Sequence, residues 1–582
     1  PTMMNRKGNG NGGGNGSGQS SLVSSLAFKV LVVLLALALS LQFVLISWRY
    51  DAGEAESTFL REFLVRARAA REDVGKRDDD PGLDNEPAAG VADVKSVVSV
   101  KKDALSRDAG LAHLEPRLPY LPAFATLPNA DELEAETMAG HPTIAGIHTV
   151  LNKALLEMHS NNHKLASEAD SLRAPNALRD RVFDSFTKLA KEHLLAFDAV
   201  YRGKPIFPIR EDGSIFISLA SFRDHLLGQT MKEAFGKAKN PDKVFVGAVV
   251  QNCFGVEYTC KTGAQVVGKD KNGRDMTKVS DAPPDSNGVA EFCEDENYRK
   301  YCEAGQVRAL YVNETESLGP AMARYYASKL WGGETFFVQV DAHLKFAQDW
   351  DARYIAEMQA AKSYPKAVLS SYPPGFGGFT DEGTPGARLC WCEFSQSDVE
   401  DHIIRINTGA RYHDSVERPK QVAFIAAGFF FTRAEFLTEV PFDPFLPWCF
   451  MGEEIALSMR AWTNGWDIYA PRLNLIAHQY RPGRMGLPKF WGSVGRTFGK
   501  PGPGFSNRLQ KILIKRIKHM VGYPDITKKS IEDEDLGFIL TDLEHYSLGT
   551  TRSRDEYLKL TQIDFHTLKC GQMQWCNGGD LD

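Results

Sequence analysis

The side chains most capable of chemistry stand where an apolar run ends. Phe336-Phe-Val-Gln-Val340 runs straight into Asp341-Ala-His343, two metal-capable groups one residue apart. Alternate side chains of an extended chain point the same way, so Asp341 and His343 can approach one divalent ion or its bound water together. His478 ends a second apolar run, Leu473–Ala477, and Arg481 and Arg484 follow it between Pro and Gly. With Asp341 and His343 it completes an oxygen/nitrogen set suited to Mn²⁺ (or Mg²⁺), with the two arginines beside an anionic phosphate. The plainer readings are a capping aspartate, a surface histidine and an edge histidine.

Gly452-Glu453-Glu454 opens a helix on which Ile455, Met459 and Trp462 share a face. Carboxylates in a first turn are favoured by the helix dipole alone. The loop before them, Phe442-Asp-Pro-Phe-Leu-Pro-Trp-Cys-Phe-Met451, is aromatic and rich in proline. Aromatic faces beside carboxylates are a way to hold a sugar, so Trp448 and Gly452 are candidates for an acceptor or sugar pocket. Ala220-Ser221-Phe222-Arg223 leads from a strand into a helix N-terminus, a place that favours phosphate or a stacked base. The chain has neither G-x-G-x-x-G nor a Walker A sequence, so dinucleotide and P-loop readings lose support.

These residues require strands and helices in alternation. Ser214–Leu219, Lys243–Val250, Phe336–Val340, Lys366–Leu369, Val422–Ile425 and Leu473–Ile476 read as strands, and Arg223–Lys239 as a helix. That spacing argues for an α/β fold, a mainly parallel sheet with helices on both faces. Such sheets bind ligands at the carboxyl ends of their strands. Residues 143–200 repeat apolar positions at helical spacing and read as two helices.

The rest of the chain sets the context. Residues 1–29 form a low-complexity tail, and 30–48 are an apolar run long enough, at ~28 Å, to cross a bilayer. Arg6, Lys7 and Lys29 precede the run while Asp51, Glu54 and Glu56 follow it, which keeps the N-terminus cytosolic and sends the body across. Residues 49–140 read as a stem, 141–204 as a helical stem or accessory region, 205–500 as the catalytic domain, and 501–582 as an extension packing on it. A net charge of −6 gives no field for nucleic acid. Nine cysteines are too few for a disulfide scaffold, but an oxidising lumen would pair some of them. Cys253/Cys260, Cys293/Cys302 and Cys570/Cys576 are close enough to pair locally, at least one thiol is left over, and Cys390-Trp-Cys392 reads as structural. Asn313-Glu-Thr315 is a glycosylation sequon usable only in the lumen.

The ordered series IFISLASFRD (215–224), KVFVGAVVQNC (243–253), GETFFVQVDAHLKFAQDWD (333–351), AVLSSYP (367–373), FIAAGFFFTRAEFLTEVPFDPFLPWCFMGEEIALSMRAWTNGWDIYAP (424–471), IAHQYRP (476–482) and YSLGTTRSRDEYLKL (546–560) resembles glycosyltransferase family 60. This family includes the hydroxyproline-directed polypeptide GlcNAc-transferases. The resemblance implies a GT-A fold, a UDP-GlcNAc donor, Mn²⁺ or a similar ion, and retention giving an α-linked sugar on a protein hydroxyl. Carried onto this chain, Asp341 and His343 take the place of the D-x-D metal motif, and His478 that of the histidine closing the metal shell. Ser218, Ala220, Ser221, Phe222 and Arg223 resemble the uridine-binding segment, with Asp341 also facing the donor. Glu453 and Glu454 resemble the acidic pair on the acceptor side. The stem and anchor imply a single-pass type II Golgi protein with a lumenal catalytic domain, the endoplasmic reticulum being the other compartment, and secretory proteins as acceptors. Two further readings stay open: a lumenal metal-dependent hydrolase, and an inactive glycan-binding relative.

Overall fold

The computed structural model describes residues 129–168, 177–256, 258–408, 410–411, 417–480, 490–497, 505–578 and 581. No helix among them is long and apolar enough to cross a membrane, and the apolar segment 30–48 lies outside them.

Among the helices that precede the sheet are α1 (Ile144–Glu168) and α2 (Ala177–Leu189). The sheet strands are β1 (Ile215–Phe222), β2 (Val244–Asn252), β3 (Val307–Asn313) and β4 (Phe336–Asp341). A short β5 (Leu344–Phe346) follows outside the sheet. Then come β6 (Ala367–Ser370), β7 (Lys420–Gln421), β8 (Phe429–Arg433) and β9 (Asp467–Ala470). Their order across the sheet is β7-β9-β6-β8-β4-β1-β2-β3. β1 runs parallel to β2 and β4, β2 to β3 and β6 to β9, whereas β8 is antiparallel to both its neighbours and β7 to β9. The sheet is therefore mixed and mainly parallel. It is apolar on both sides, as a sheet covered by helices must be. Ile215, Ile217, Phe336, Val338 and Phe431 pack on one side, and Phe216, Phe337 and Phe430 on the other.

Three readings of the chain differ from what folds. The helix after β1 is α3 (Leu227–Gly236), shorter than 223–239, because Arg223 adopts a left-handed φ of 47° and the Asp224 carboxylate accepts the Leu226 N–H in a turn. Leu227, Met231 and Phe235 still form its buried stripe. Residues 422–425 are not a strand. The Val422 N–H still donates to Ile468 of β9, but the N–H groups of Ile425, Ala426 and Ala427 donate to the side chains of Ser458, Ser370 and Glu454, which turn the backbone out of the sheet. The strand is instead the following Phe429–Arg433. The run 473–476 also stays outside the large sheet, split into Leu473–Asn474 and β10 (Ile476–His478), the latter antiparallel to β5.

Cys253–Cys260 and Cys293–Cys302 are disulfides. Cys570 and Cys576 do not pair with each other. They reach back to Cys392 and Cys390, which point to one side of an extended segment while Trp391 between them is exposed. Cys449 is the free thiol, and it is buried. Asn313 is also buried, accepting from the Thr315 N–H, so the sequon is not presented by the folded chain.

Candidate active site

The β4–β5 turn and β10 build the centre of the site. Asp341 ends β4 beside Ala220 of β1. Two residues on, the ribbon of β5 and β10 pairs Leu344 with His478, and the Gln479 N–H donates to the His343 carbonyl. Asp341, His343 and His478 are thereby drawn together, with one ligand atom from each lying within 4.8 Å of the others. His478 Nε2 is 2.9 Å from Asp341 Oδ2 and 3.0 Å from His343 Nε2. Two imidazole nitrogens facing each other and a carboxylate are reconciled by a hydrogen on one of the nitrogens or by a metal ion between all three. One oxygen and two nitrogens fit a borderline divalent ion such as Mn²⁺.

Neighbouring groups fix this cluster. His343 Nδ1–H donates to Asp224 at 2.6 Å, which leaves Nε2 as the nitrogen facing Asp341 and His478. Burial alone would lower the His343 pKa, but the Asp224 hydrogen bond and the Asp341 charge outweigh it and raise it. Arg324, from α4 (Pro320–Lys329), donates to Asp341 at 3.0 Å and to Glu453. Burial would raise the Asp341 pKa; the His478 hydrogen bond, Arg324 and the two histidines overcome it and hold the carboxyl far below its usual range. Gly428 passes so close that a Cβ there would stand 3.0 Å from Asp341 Oδ2.

Glu453 and Glu454 head α5 (Glu453–Thr463). Gly452 before them takes φ 94°, and a Cβ on it would meet Ile517 at 2.9 Å, so only glycine fits this turn. Glu453 is tied to Arg324, with Gln339 of β4 donating at 3.5 Å. Burial raises its pKa against the pull of Arg324. Glu454 accepts from the Tyr372 hydroxyl at 2.9 Å and the Ala427 N–H at 3.0 Å, and burial pushes its pKa up to about 7.

The other candidates are placed less uniformly. Ser218 and Ser221 are fully buried in β1, with hydroxyls that have no hydrogen-bond partner among the described residues. Phe222 stands edge-on to Phe490, the ring centroids 5.6 Å apart. Arg223 is not open to a phosphate; its guanidinium makes a bidentate pair with Asp285 at 2.7 and 2.9 Å and lies 3.7 Å from Glu314. A cavity of about 230 Å³ lies against Arg223, Asp224, His225, Lys261 and Asp285. Trp448 does not present its ring to a sugar. It is only 3% exposed, packed against Phe183 and Phe186 of α2, because a left-handed φ of 57° turns it into the core. The exposed aromatic of that loop is Phe450. Arg481 and Arg484 lie outside the described residues.

Asp224 and Arg324 were not singled out from the sequence. A strand-end acid one residue after Arg223 was a readable signal for Asp224. Arg324 sits in mid-helix with nothing around it to mark it.

A mixed α/β sheet with acids and histidines gathered at the carboxyl ends of its parallel strands is the layout of an enzyme that holds its ligand at that edge. Residues 214–567 match the family described as Glycosyltransferase (GlcNAc), more than half of the chain, and the chain belongs to that family. Among solved structures it is similar to GalNAc-T7 with UDP, GalNAc and Mn²⁺, at 14% identity over 62% of this chain and 55% of that one, TM-score 0.35. It is also similar to S. aureus TarS, at 14% identity over 57% of this chain and 44% of that one, TM-score 0.28. The chain thus spans about half the length of these two. No curated protein matches it.

Proposed function

We propose that this chain transfers GlcNAc from UDP-GlcNAc, with retention, to a serine, threonine or hydroxyproline hydroxyl of a secretory protein, as a family 60 enzyme anchored in the Golgi membrane by residues 30–48. The observation that carries the reading is the convergence of Asp341, His343 and His478 at the strand ends of a chain of the GlcNAc glycosyltransferase family.

Asp341, His343 and His478 would hold Mn²⁺ (or Mg²⁺), which when bound supplies positive charge to the donor diphosphate. The chain's own groups prepare and position the reactants. Arg324 keeps Asp341 ionised, and Asp224 keeps the His343 proton on Nδ1. The donor nucleoside is assigned to the segment Ser218–Arg223, beside the cavity at Asp224, and the role of phosphate ligands to Arg481 and Arg484. The acceptor hydroxyl attacks the anomeric carbon from the face UDP leaves. The bond from that carbon to the diphosphate oxygen breaks as the glycosidic bond forms, and the hydroxyl proton passes to the departing phosphate oxygen. Glu453, engaged by Arg324, is suited to orienting hydroxyls rather than attacking carbon. Glu454 lies next to it in the first turn, and Phe450 offers an exposed aromatic face for the acceptor.

The test is UDP release by the full chain with Mn²⁺ across a panel of UDP-sugars, with and without threonine- and proline-rich peptides. Turnover restricted to UDP-GlcNAc, lost with EDTA and in Asp341→Ala with its circular dichroism unchanged, is the expected result. Product formation without any nucleotide would instead indicate a metal-dependent hydrolase. Absence of both turnover and UDP binding would indicate an inactive glycan-binding relative.

A further inference from the structure

A second cluster of metal-capable side chains lies apart in sequence from the first. His159 and His163 are four residues apart on α1, hence one above the other on the same face. Their rings meet edge-on with centroids 4.3 Å apart. Facing them is Glu316, the last residue of a single 3₁₀ turn, Glu314–Glu316, between β3 and α4. His159 Nδ1 contacts Glu316 Oε1, and one ligand atom from each of the three residues lies within 4.8 Å of the others. His159 and Glu316 are largely shielded from solvent, at 16% and 11% side-chain exposure, while His163 is open.

We propose that His159, His163 and Glu316 form a zinc site that clamps α1 to the sheet. Two imidazoles and one carboxylate are a donor set for Zn²⁺, and histidines at i and i+4 of a helix are a spacing that binds it. Tetrahedral Zn²⁺ with bonds of ~2.0–2.1 Å sets its ligand atoms ~3.4 Å apart. The three ligand atoms lie within 4.8 Å of one another, a separation of the same scale. Because His163 is exposed, the fourth position faces solvent and takes water. A site with three protein ligands and a water would, in another setting, be catalytic. Here its reach is mechanical, through the residues flanking Glu316. Glu314 lies 3.7 Å from Arg223, and the Ser317 hydroxyl donates to Gln251, whose amide donates to the Ser221 carbonyl at 3.1 Å. An ion bound by Glu316 therefore braces the turn supporting the end of β1, where the chain approaches the Asp341 cluster.

The experiment is a Zn²⁺ titration of the full, untagged chain after EDTA stripping and desalting, in competition with a chromophoric chelator. Wild type should bind two equivalents, His343→Ala/His478→Ala should retain one, and His159→Ala/His163→Ala should lose the other. Glu316→Gln should weaken that equivalent by roughly 10–100-fold or more, since loss of even an outer-sphere partner costs that much. Metal-free circular dichroism of each variant reports its fold. His163→Ala alone, at an exposed position, serves if the double variant does not fold. Zn²⁺ should also raise the thermal midpoint of His343→Ala/His478→Ala but not of a variant lacking both clusters. If His159→Ala/His163→Ala binds as many equivalents as wild type, or if His343→Ala/His478→Ala binds none, the site is only a histidine–glutamate ion pair and the proposal falls.

Discussion

Asp224 Oδ2 lies 2.6 Å from His343 Nδ1, and this contact decides which nitrogen His343 turns toward Asp341 and His478. The carboxylate fixes both the proton position and the ring plane, and it makes the opposite nitrogen a better electron donor. Replacing Asp224 by Ala should therefore weaken Mn²⁺ binding by roughly 10–100-fold. Asp224→Asn, which keeps an acceptor oxygen, should fall between that and wild type. Mn²⁺ binding followed by electron paramagnetic resonance reads this without any assay of transfer. Equal affinity in all three proteins would mean that His343 is not held for a metal.

Arg324 bridges Asp341 and Glu453 across the floor of the site, and it is itself buried. Removing the cation leaves Glu453 without its charged partner and Asp341 with the two histidines alone. Breaking a fully buried pair costs ~3–5 kcal/mol, but Asp341 is 28% exposed, so about 2–4 kcal/mol is expected for Arg324→Met. Arg324→Met/Glu453→Gln should recover much of the loss, since the charge left without a partner is then gone. Urea unfolding of the two variants checks this, and a double variant as unstable as the single one would place the cost in packing instead.

What could be read from the chain followed how local each signal is. Asp341 and His343 stand out because an apolar strand ends on them and alternation puts them on one side. His478 follows by the same pattern at Ile476–His478. Arg324 carries no such mark: in the helix Pro320–Lys329 it resembles any surface cation, and only the packing of that helix against β1 and β2 brings it to Asp341. Trp448 shows the converse. An aromatic, proline-rich loop looks alike whether its rings stack on a sugar or fill a core, and backbone φ at one residue decided for the core. The apolar run 422–431 has no period that locates a turn, so its strand was assigned seven residues too early. The turn at 425–427 is set by side chains from Ser370, Ser458 and Glu454, partners remote in sequence.

The two long-range disulfides lie side by side, so their effects should not add. Cys390–Cys576 and Cys392–Cys570 have sequence separations of 186 and 178. The first to form closes a loop worth ~5 kcal/mol in chain entropy, whereas the second then closes a ring of only a few residues, worth ~2–3 kcal/mol. Removing either pair alone by Cys→Ser should thus cost the smaller amount. Removing both should cost about 8 kcal/mol at most, the chain-entropy sum being an upper limit. Calorimetry of the three variants under non-reducing conditions measures it. Two single losses that sum to the double loss would mean that each bridge constrains the unfolded chain independently.

Glu454 links the site to pH. Burial raises its carboxyl from an ordinary value of 4.5 to about 7, against the opposing hydrogen bonds from Ala427 and Tyr372. Between those two values the folded chain holds a proton that the unfolded chain has released. Its contribution to stability is therefore fully present below about pH 4.5 and is lost as pH rises through about 7. Glu454→Gln is neutral at every pH and keeps an oxygen for the Ala427 N–H. The stability of wild type relative to this variant should accordingly decline from pH 5 to pH 8 and level off above. Urea unfolding at pH 5, 6.5 and 8 tests it directly. A difference that stays constant over the range would mean Glu454 is ionised throughout, with its charge balanced by Arg324 and Tyr372 rather than removed by a proton.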